Sequence, residues 1–176
     1  MDEAAMSDMM LDEHKQKMWS MMKGIGFAML TTDDGGLLRA RPMVAAQDQF
    51  EGVLWLFTRL SSHKVEEIET DQRVGVTYAE PSKQHYVSLS GIAKLVRDKA
   101  TIAERWSEPM RTWFPKGTED PDIALLRVAV NAGEYWDAPN STMVHAYGYV
   151  KARLTGESPH PGENEKLSFP QGAAAS

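Results

Sequence analysis

Residues 7 to 23 place Met10, Leu11, Met18, Met21 and Met22 at near-helical spacing, which predicts an amphipathic helix capped by Ser7 and stopped at Gly24. From Ile25 the period changes to two. IGFAMLTT, then DDGG, then LLRARPMVAA read as two strands joined by a tight turn at Asp33 to Gly36. A polar link, DQFEG, leads into a strand VLWLFT at 53 to 58 and permits a second hairpin. A short helix is expected from Ser61 or Ser62 through HKVEEIET, followed by a strand RVGVTYA at 73 to 79. The alternating run HYVSLSGIAKLV at 85 to 96 is a long strand with a bulge or bend at Gly91. Asp98 caps a helix over 99 to 106, and WSEPMRTWFPKGTEDPD, rich in proline and aromatics, is expected to be an ordered excursion. ALLRVAVNAGEYWD at 124 to 137 returns to strand spacing, and a last helix runs from Asn140 or Ser141 to about Leu154. The remainder, TGESPHPGENEKLSFPQGAAAS, has no periodicity and is expected to be disordered.

Six strands with hairpin-length connections and helices only at intervals favour a mainly β, antiparallel barrel with peripheral helices over a doubly wound parallel sheet. The motifs GxGxxG and GxxxxGK[ST] are absent, so any phosphate site must be built differently from the usual dinucleotide and P-loop cradles.

Composition narrows the chemistry. The chain has no cysteine, which excludes a disulfide framework, a thiolate nucleophile and thiolate-bound metal clusters. A formal charge of −6 argues against general nucleic-acid binding, because a net-negative surface repels a phosphate backbone. No apolar run approaches the roughly 18 residues of a membrane span. The first residues, MDEAAMSDMM, are acidic where a secretory signal is basic, so a cytoplasmic protein is expected. Eight of the eleven methionines precede residue 30, as core filler or as an adaptable interaction surface.

Two segments carry candidate chemistry. In RARPM, Arg39, Arg41 and Met43 share one strand face, and Pro42 removes a ladder donor, implying an edge or a bulge. Two arginines on one face need an anion, either a ligand or the plentiful acidic side chains. In FTRLSSHKVEEI a strand ends at Phe57 and Thr58 and a helix starts beside Ser61 and Ser62. Cations in a first helical turn are unfavourable by roughly 0.3 to 1 kcal/mol, yet His63 and Lys64 stand there. A bound anion reverses that cost, since backbone N–H groups, a serine hydroxyl and the lysine ammonium converge on a phosphate; the alternative is an ordinary serine-capped helix that tolerates a lysine. His85 and His145 have no ligand-spaced partner, so no metal site is expected. The acid pairs Glu66-Glu67 and Asp120-Asp122 have no spacing that singles out a general acid and base, and read as solvated faces.

RARPM, WLFTRLSSHKVEEIE, YVSLSGIAKLV, WFPKGTEDPD and EYWD, in that order and spacing, resemble the general stress protein group of the pyridoxamine phosphate oxidase-like flavoproteins over residues 11 to 155. The resemblance implies a six-stranded split β-barrel and a homodimer with FMN, or FAD, at the subunit interface. It gives three parts: a flexible N-terminus at 1 to 10, the flavin-binding domain at 11 to 155 and a disordered tail at 156 to 176. Carried onto this chain, Arg41, Pro42 and Met43 lie along the flavin with Arg39 as a further contact, Phe57 and Thr58 form the strand-end pair that touches it, and Ser62, His63 and Lys64 match the phosphate-binding turn. The oxidase itself usually has Arg-Lys where this chain has His63-Lys64, which makes Lys64 the firmer ligand. Trp136 resembles an aromatic near the flavin, with an interface or core position as the alternative. Trp106, Trp113, Phe114 and Pro115 either cover the flavin or plug the core.

The function implied is a flavin-dependent oxidoreductase, for example a flavin reductase, acting on a small molecule. A non-catalytic stress protein that sequesters or senses flavin is the alternative. Pyridoxal phosphate synthesis fits less well, because that oxidase ends in an Arg-Leu-x-Pro segment and Arg153-Leu154 here is not followed by proline at the needed place.

Overall fold

The computed structural model describes residues 3 to 138 and 163 to 169 of the 176. The helix expected between Asn140 and Leu154 lies outside the described residues. Helix α1 (Glu3–Ile25) starts before Ser7, so residues 3 to 10, expected as a flexible lead-in, continue the helix. Its stop is Gly26 rather than Gly24. Gly26 adopts φ +83°, and its N–H donates to the Met22 carbonyl at 2.9 Å, a left-handed cap that glycine adopts without steric cost. Met18, Met21 and Met22 are buried in the main core, so these methionines fill space beneath the sheet.

The strands are β1 (Phe27–Asp34), β2 (Leu37–Val44), β3 (Val53–Arg59), β4 (Arg73–Glu80), β5 (His85–Val96), β6 (Ile123–Asp137) and β7 (Glu163–Ser168), with helices α2 (His63–Thr70) and α3 (Lys99–Arg105) between them. Every ladder is antiparallel, in the order β2-β1-β4-β5-β6-β3, and β7 joins β6 beyond the end of β3. The second hairpin that the sequence permits is reduced to one antiparallel bridge. The strand β3 crosses to the far edge and pairs with β6, and the sheet curls until its two edges meet at a single bridge, Ala45 to Leu56. A curled sheet that all but closes is a split barrel, as expected, with seven strands rather than six.

The extra strand lies where a disordered tail was expected. Glu163–Ser168 pairs with Ala132 to Asp137 of β6, and Leu167 and Phe169 are buried. Two apolar residues in KLSF are too short a pattern to register as periodic, but they suffice to cover the part of β6 that β3 leaves open. The excursion after α3 is ordered, as expected, in two 3-10 turns at Glu108–Thr112 and Gly117–Glu119. Met110, Phe114, Phe57 and Leu125 form a second apolar cluster outside the main core. Among the described residues no helix is long and apolar enough to cross a membrane.

The bend at Gly91 sets the curvature. Ser90 pairs with Ala132 but Gly91 pairs with Val130, so Asn131 is the extra residue of a bulge. A β-carbon on Gly91 would stand 2.5 Å from the Ala129 carbonyl oxygen and 3.0 Å from Val128 Cγ1, and the backbone atom has no room to yield. Gly91→Ala is therefore expected to destabilise the protein by about 1 to 3 kcal/mol, read as a lower urea midpoint at unchanged m value.

Candidate functional site

The strand β3 ends and α2 begins at one corner of the barrel, and Asp122 fixes that corner. Its carbonyl accepts from the Leu60 N–H at 2.8 Å, and its carboxylate accepts from the Ser61 N–H and hydroxyl at 2.8 and 2.7 Å. Ser61 and the adjacent Arg59 hold the Asp122 carboxyl below its ordinary pKa, the hydrogen bond from the Ser61 hydroxyl contributing most. Ser62 then takes the extended N-cap conformation, but its hydroxyl does not cap the helix. It accepts instead from Lys64 Nζ at 2.6 Å, and Thr58 Oγ1 accepts from the same ammonium at 3.3 Å. Lys64 is half-buried and makes no salt bridge among the described residues. Burial first, then the nearby Arg41 charge, lowers its pKa.

Lys64 faces a groove of about 280 Å³. Pro42, Met43, Phe57, Thr58 and Lys64, five residues expected at the site, line it together. Phe27, Val44, Arg59, Met110, Trp113 and Phe114 complete the walls. Of the excursion residues, Trp113 and Phe114 reach the groove, while Trp106 sits behind it, edge-on to Phe57 at 6.0 Å. Phe27, Val44, Arg59 and Met110 were not singled out in the sequence. Phe27 and Val44 are opposite one another in the β1–β2 ladder and share the face of Pro42, opposite that of Arg39, Arg41 and Met43, so alternation counted from Pro42 locates them.

The other expected residues are placed differently. Arg39 Nε pairs with Asp34 Oδ2 at 2.6 Å. Arg41 donates to Glu67 Oε2 at 2.7 Å and to the Thr32 hydroxyl, which in turn donates to the same Glu67 oxygen. Both arginines thus find their anions inside the chain. Glu67 is not on a solvated face. Its side chain is 1% exposed, because α2 packs against β1 and turns this residue inward while Glu66 stays in water. Burial works to raise the Glu67 pKa, and the hydrogen bonds from Thr32 and Arg41 more than offset it, leaving the carboxyl below its ordinary value. His63 is turned to Asp34 and Glu66 rather than into the groove, and these two carboxylates raise its pKa, Glu66 foremost. Trp136 lies near the far end of β6, opposite Tyr86 and Asn164, and does not line the groove within one chain.

Residues 13–160 match the family model described as pyridoxamine 5'-phosphate oxidase like. The chain belongs to the pyridoxamine 5'-phosphate oxidase-like family. A structure from Jannaschia sp. CCS1 assigned to general stress protein 26 superposes on this pyridoxamine 5'-phosphate oxidase-like chain with a TM-score of 0.69 at 24% identity, covering 90% of this chain and 99% of that one. The general stress FMN/FAD binding protein of Xanthomonas citri is similar at 27% identity and a TM-score of 0.63, over 74% of this chain and 92% of that one. Protein bli-3 of Neurospora crassa is 26% identical over 136 residues, 71% of this chain but only 65% of its own length.

Removing one partner of a buried ion pair strands the other charge and costs about 3 to 5 kcal/mol. Arg41 keeps some contact with water, at 20% exposure, so Glu67→Ala is expected to cost about 3 kcal/mol in urea unfolding. A lowered carboxyl pKa stabilises the fold above the ordinary Glu range, and that contribution disappears as pH falls through the folded value. Wild-type stability should accordingly decline as acid is added below about pH 4.3, and Glu67→Gln, weaker at neutral pH, should show a flatter acid limb.

Proposed function

We propose that the groove holds the isoalloxazine of FMN, or the FMN half of FAD, with the phosphate at Lys64 and the first turn of α2. One observation carries this reading. Lys64 is a half-buried ammonium whose partners are two hydroxyls rather than a carboxylate, at a helix N-terminus that itself favours an anion. The donor set fits a phosphate monoester, with Ser62 and Thr58 hydroxyls beside the ammonium. The flat apolar walls, Pro42, Met43, Phe57 and Trp113, fit a planar ring. Arg41 acts from behind, orienting α2 through Glu67, and its charge adds to the positive potential at Lys64.

A homodimer completes this site. At about 280 Å³ the groove is at the low end of small-molecule pockets, roughly 300 to 1,000 Å³, so part of the ligand requires a second wall. Phe27, Met29 and Leu38 are exposed, and with Pro42 and Ala40 they make the face of the β1–β2 hairpin that borders the groove largely apolar, Thr31 and Asp33 being its polar members. An apolar face of that kind marks an association surface. The similarity to an FMN/FAD binding protein of Xanthomonas citri supports the flavin as the ligand.

The flavin supplies hydride or electron transfer, and the protein supplies binding, orientation and electrostatics. Among the described residues the groove's ionisable side chains are Arg59 and Lys64, both cations suited to holding an anionic group, so the redox chemistry is assigned to the cofactor. The reading is an oxidoreductase working through bound flavin, with the cofactor reduced by an external donor.

Equilibrium titration tests the placement. A charge-assisted hydrogen bond is worth about 1.5 to 3 kcal/mol, so Lys64→Ala is expected to weaken FMN binding by about 10- to 100-fold while leaving riboflavin, which lacks the phosphate, within about twofold of wild type. Equal losses for both ligands, or none for FMN, would put the phosphate elsewhere. Sedimentation of the flavin-loaded protein is expected to give a dimer mass, and bleaching of the bound flavin by NADH or NADPH would mark turnover.

A further inference from the structure

His63 has an environment that the flavin reading leaves unused. Its Nδ1 lies 2.9 Å from Glu66 Oε2, and its Nε2 lies 3.3 Å from Asp34 Oδ1 and 3.8 Å from Glu67 Oε1. Glu67 Oε1 is buried without a hydrogen-bond partner, and the 3.8 Å gap to His63 is too long to supply one. An orphaned oxygen on a carboxylate that is 1% exposed is costly unless something else satisfies it.

One ligand atom from each of Asp34, His63 and Glu67 lies within 4.8 Å of the other two, and His63 Nε2 faces both Asp34 Oδ1 and Glu67 Oε1. Donors on one tetrahedral ion at about 2.0 to 2.2 Å stand roughly 3.3 to 3.6 Å apart, close to the two measured separations from His63. The far side of each donor is already held. Glu66 takes the Nδ1 side of the imidazole, Arg39 Nε binds Asp34 Oδ2 at 2.6 Å, and Arg41 Nη2 binds Glu67 Oε2 at 2.7 Å. Outer partners of this kind fix the tautomer of a metal-ligating histidine and the orientation of ligating carboxylates. A proton on Nδ1, donated to Glu66, leaves the Nε2 lone pair directed between the two carboxylates. Helical spacing produces the arrangement: His63 and Glu67, four residues apart, share the face of α2 that packs on β1, and Asp34 ends that strand.

We propose that Asp34, His63 and Glu67 bind one divalent first-row cation, with the imidazole and carboxylate donors suited to Zn²⁺ and a fourth position open to solvent. The two carboxylates offset the charge of the ion. The flanking guanidiniums hold the affinity below that of the same ligands without arginines.

The test uses untagged, full-length protein freed of metal with a chelator and kept without flavin, so its outcome is independent of the cofactor reading. Co²⁺ is added while the visible d–d absorption of four-coordinate cobalt is followed, and Zn²⁺ is then used to displace it. One Co²⁺ per chain, displaced by Zn²⁺, is expected. His63→Ala, at a side chain 59% exposed and so compatible with folding, should abolish this signal, and Asp34→Asn should do the same. Glu66→Gln should weaken binding by about tenfold. No stoichiometric binding by the wild type, or wild-type affinity in His63→Ala, would overturn the proposal and leave the cluster as an ion pair of protonated imidazole with carboxylates.

Discussion

The buried pair between Arg41 and Glu67 is the constraint on which the rest of this corner depends. It joins the β1–β2 hairpin to α2, and Thr32 of β1 makes a second buried tie by donating to Glu67 while accepting from Arg41. Burying two charges is worthwhile only when geometry and extra hydrogen bonds recover the lost hydration. Here the recovered energy is spent on position. With α2 locked against β1, its N-terminus and Lys64 are presented to the groove, while the other face of the helix turns His63 toward Asp34. A hydrophobic pair of similar volume could hold the helix as tightly, but it would neither fix the rotation of α2 nor keep a positive charge behind Lys64.

Much of this was legible in the sequence. The strand and helix boundaries around Asp33 to Gly36, His85 to Val96 and Asp98 follow from period, turn residues and capping, all of which are local. The groove was legible through Phe57, Thr58 and Lys64, because a strand end running into a helix start is a local pattern with one spatial outcome. What escaped depends on long-range pairing. The edge-to-edge placement of β3 against β6 could not be told from a hairpin with β2, since both bury the same alternate residues. Glu67 reads as one of two adjacent acids, and only the packing of α2 on β1 tells which enters the interior. The arginines of RARPM were correctly seen to need anions, but the acids that supply them, Asp34 and Glu67, are five and twenty-six residues away.

The family relationship and the local physics meet at the groove. Family membership, which rests on the match over residues 13–160, establishes the split-barrel architecture and leaves open what this chain binds. An ammonium bonded to two hydroxyls rather than a carboxylate, beside flat apolar walls, favours a planar ligand carrying a phosphate. The absence of cysteine points in the same direction, toward chemistry carried by a bound organic cofactor. The exposed apolar residues of the hairpin are where the proposed second copy of the chain would pack.

The most direct measurement is the visible spectrum of the purified protein after incubation with FMN and removal of free ligand by gel filtration. Oxidised-flavin absorption co-eluting with the protein at about one flavin per chain is the predicted result. A colourless protein peak, with all the flavin in the small-molecule fraction, would contradict the assignment of the groove.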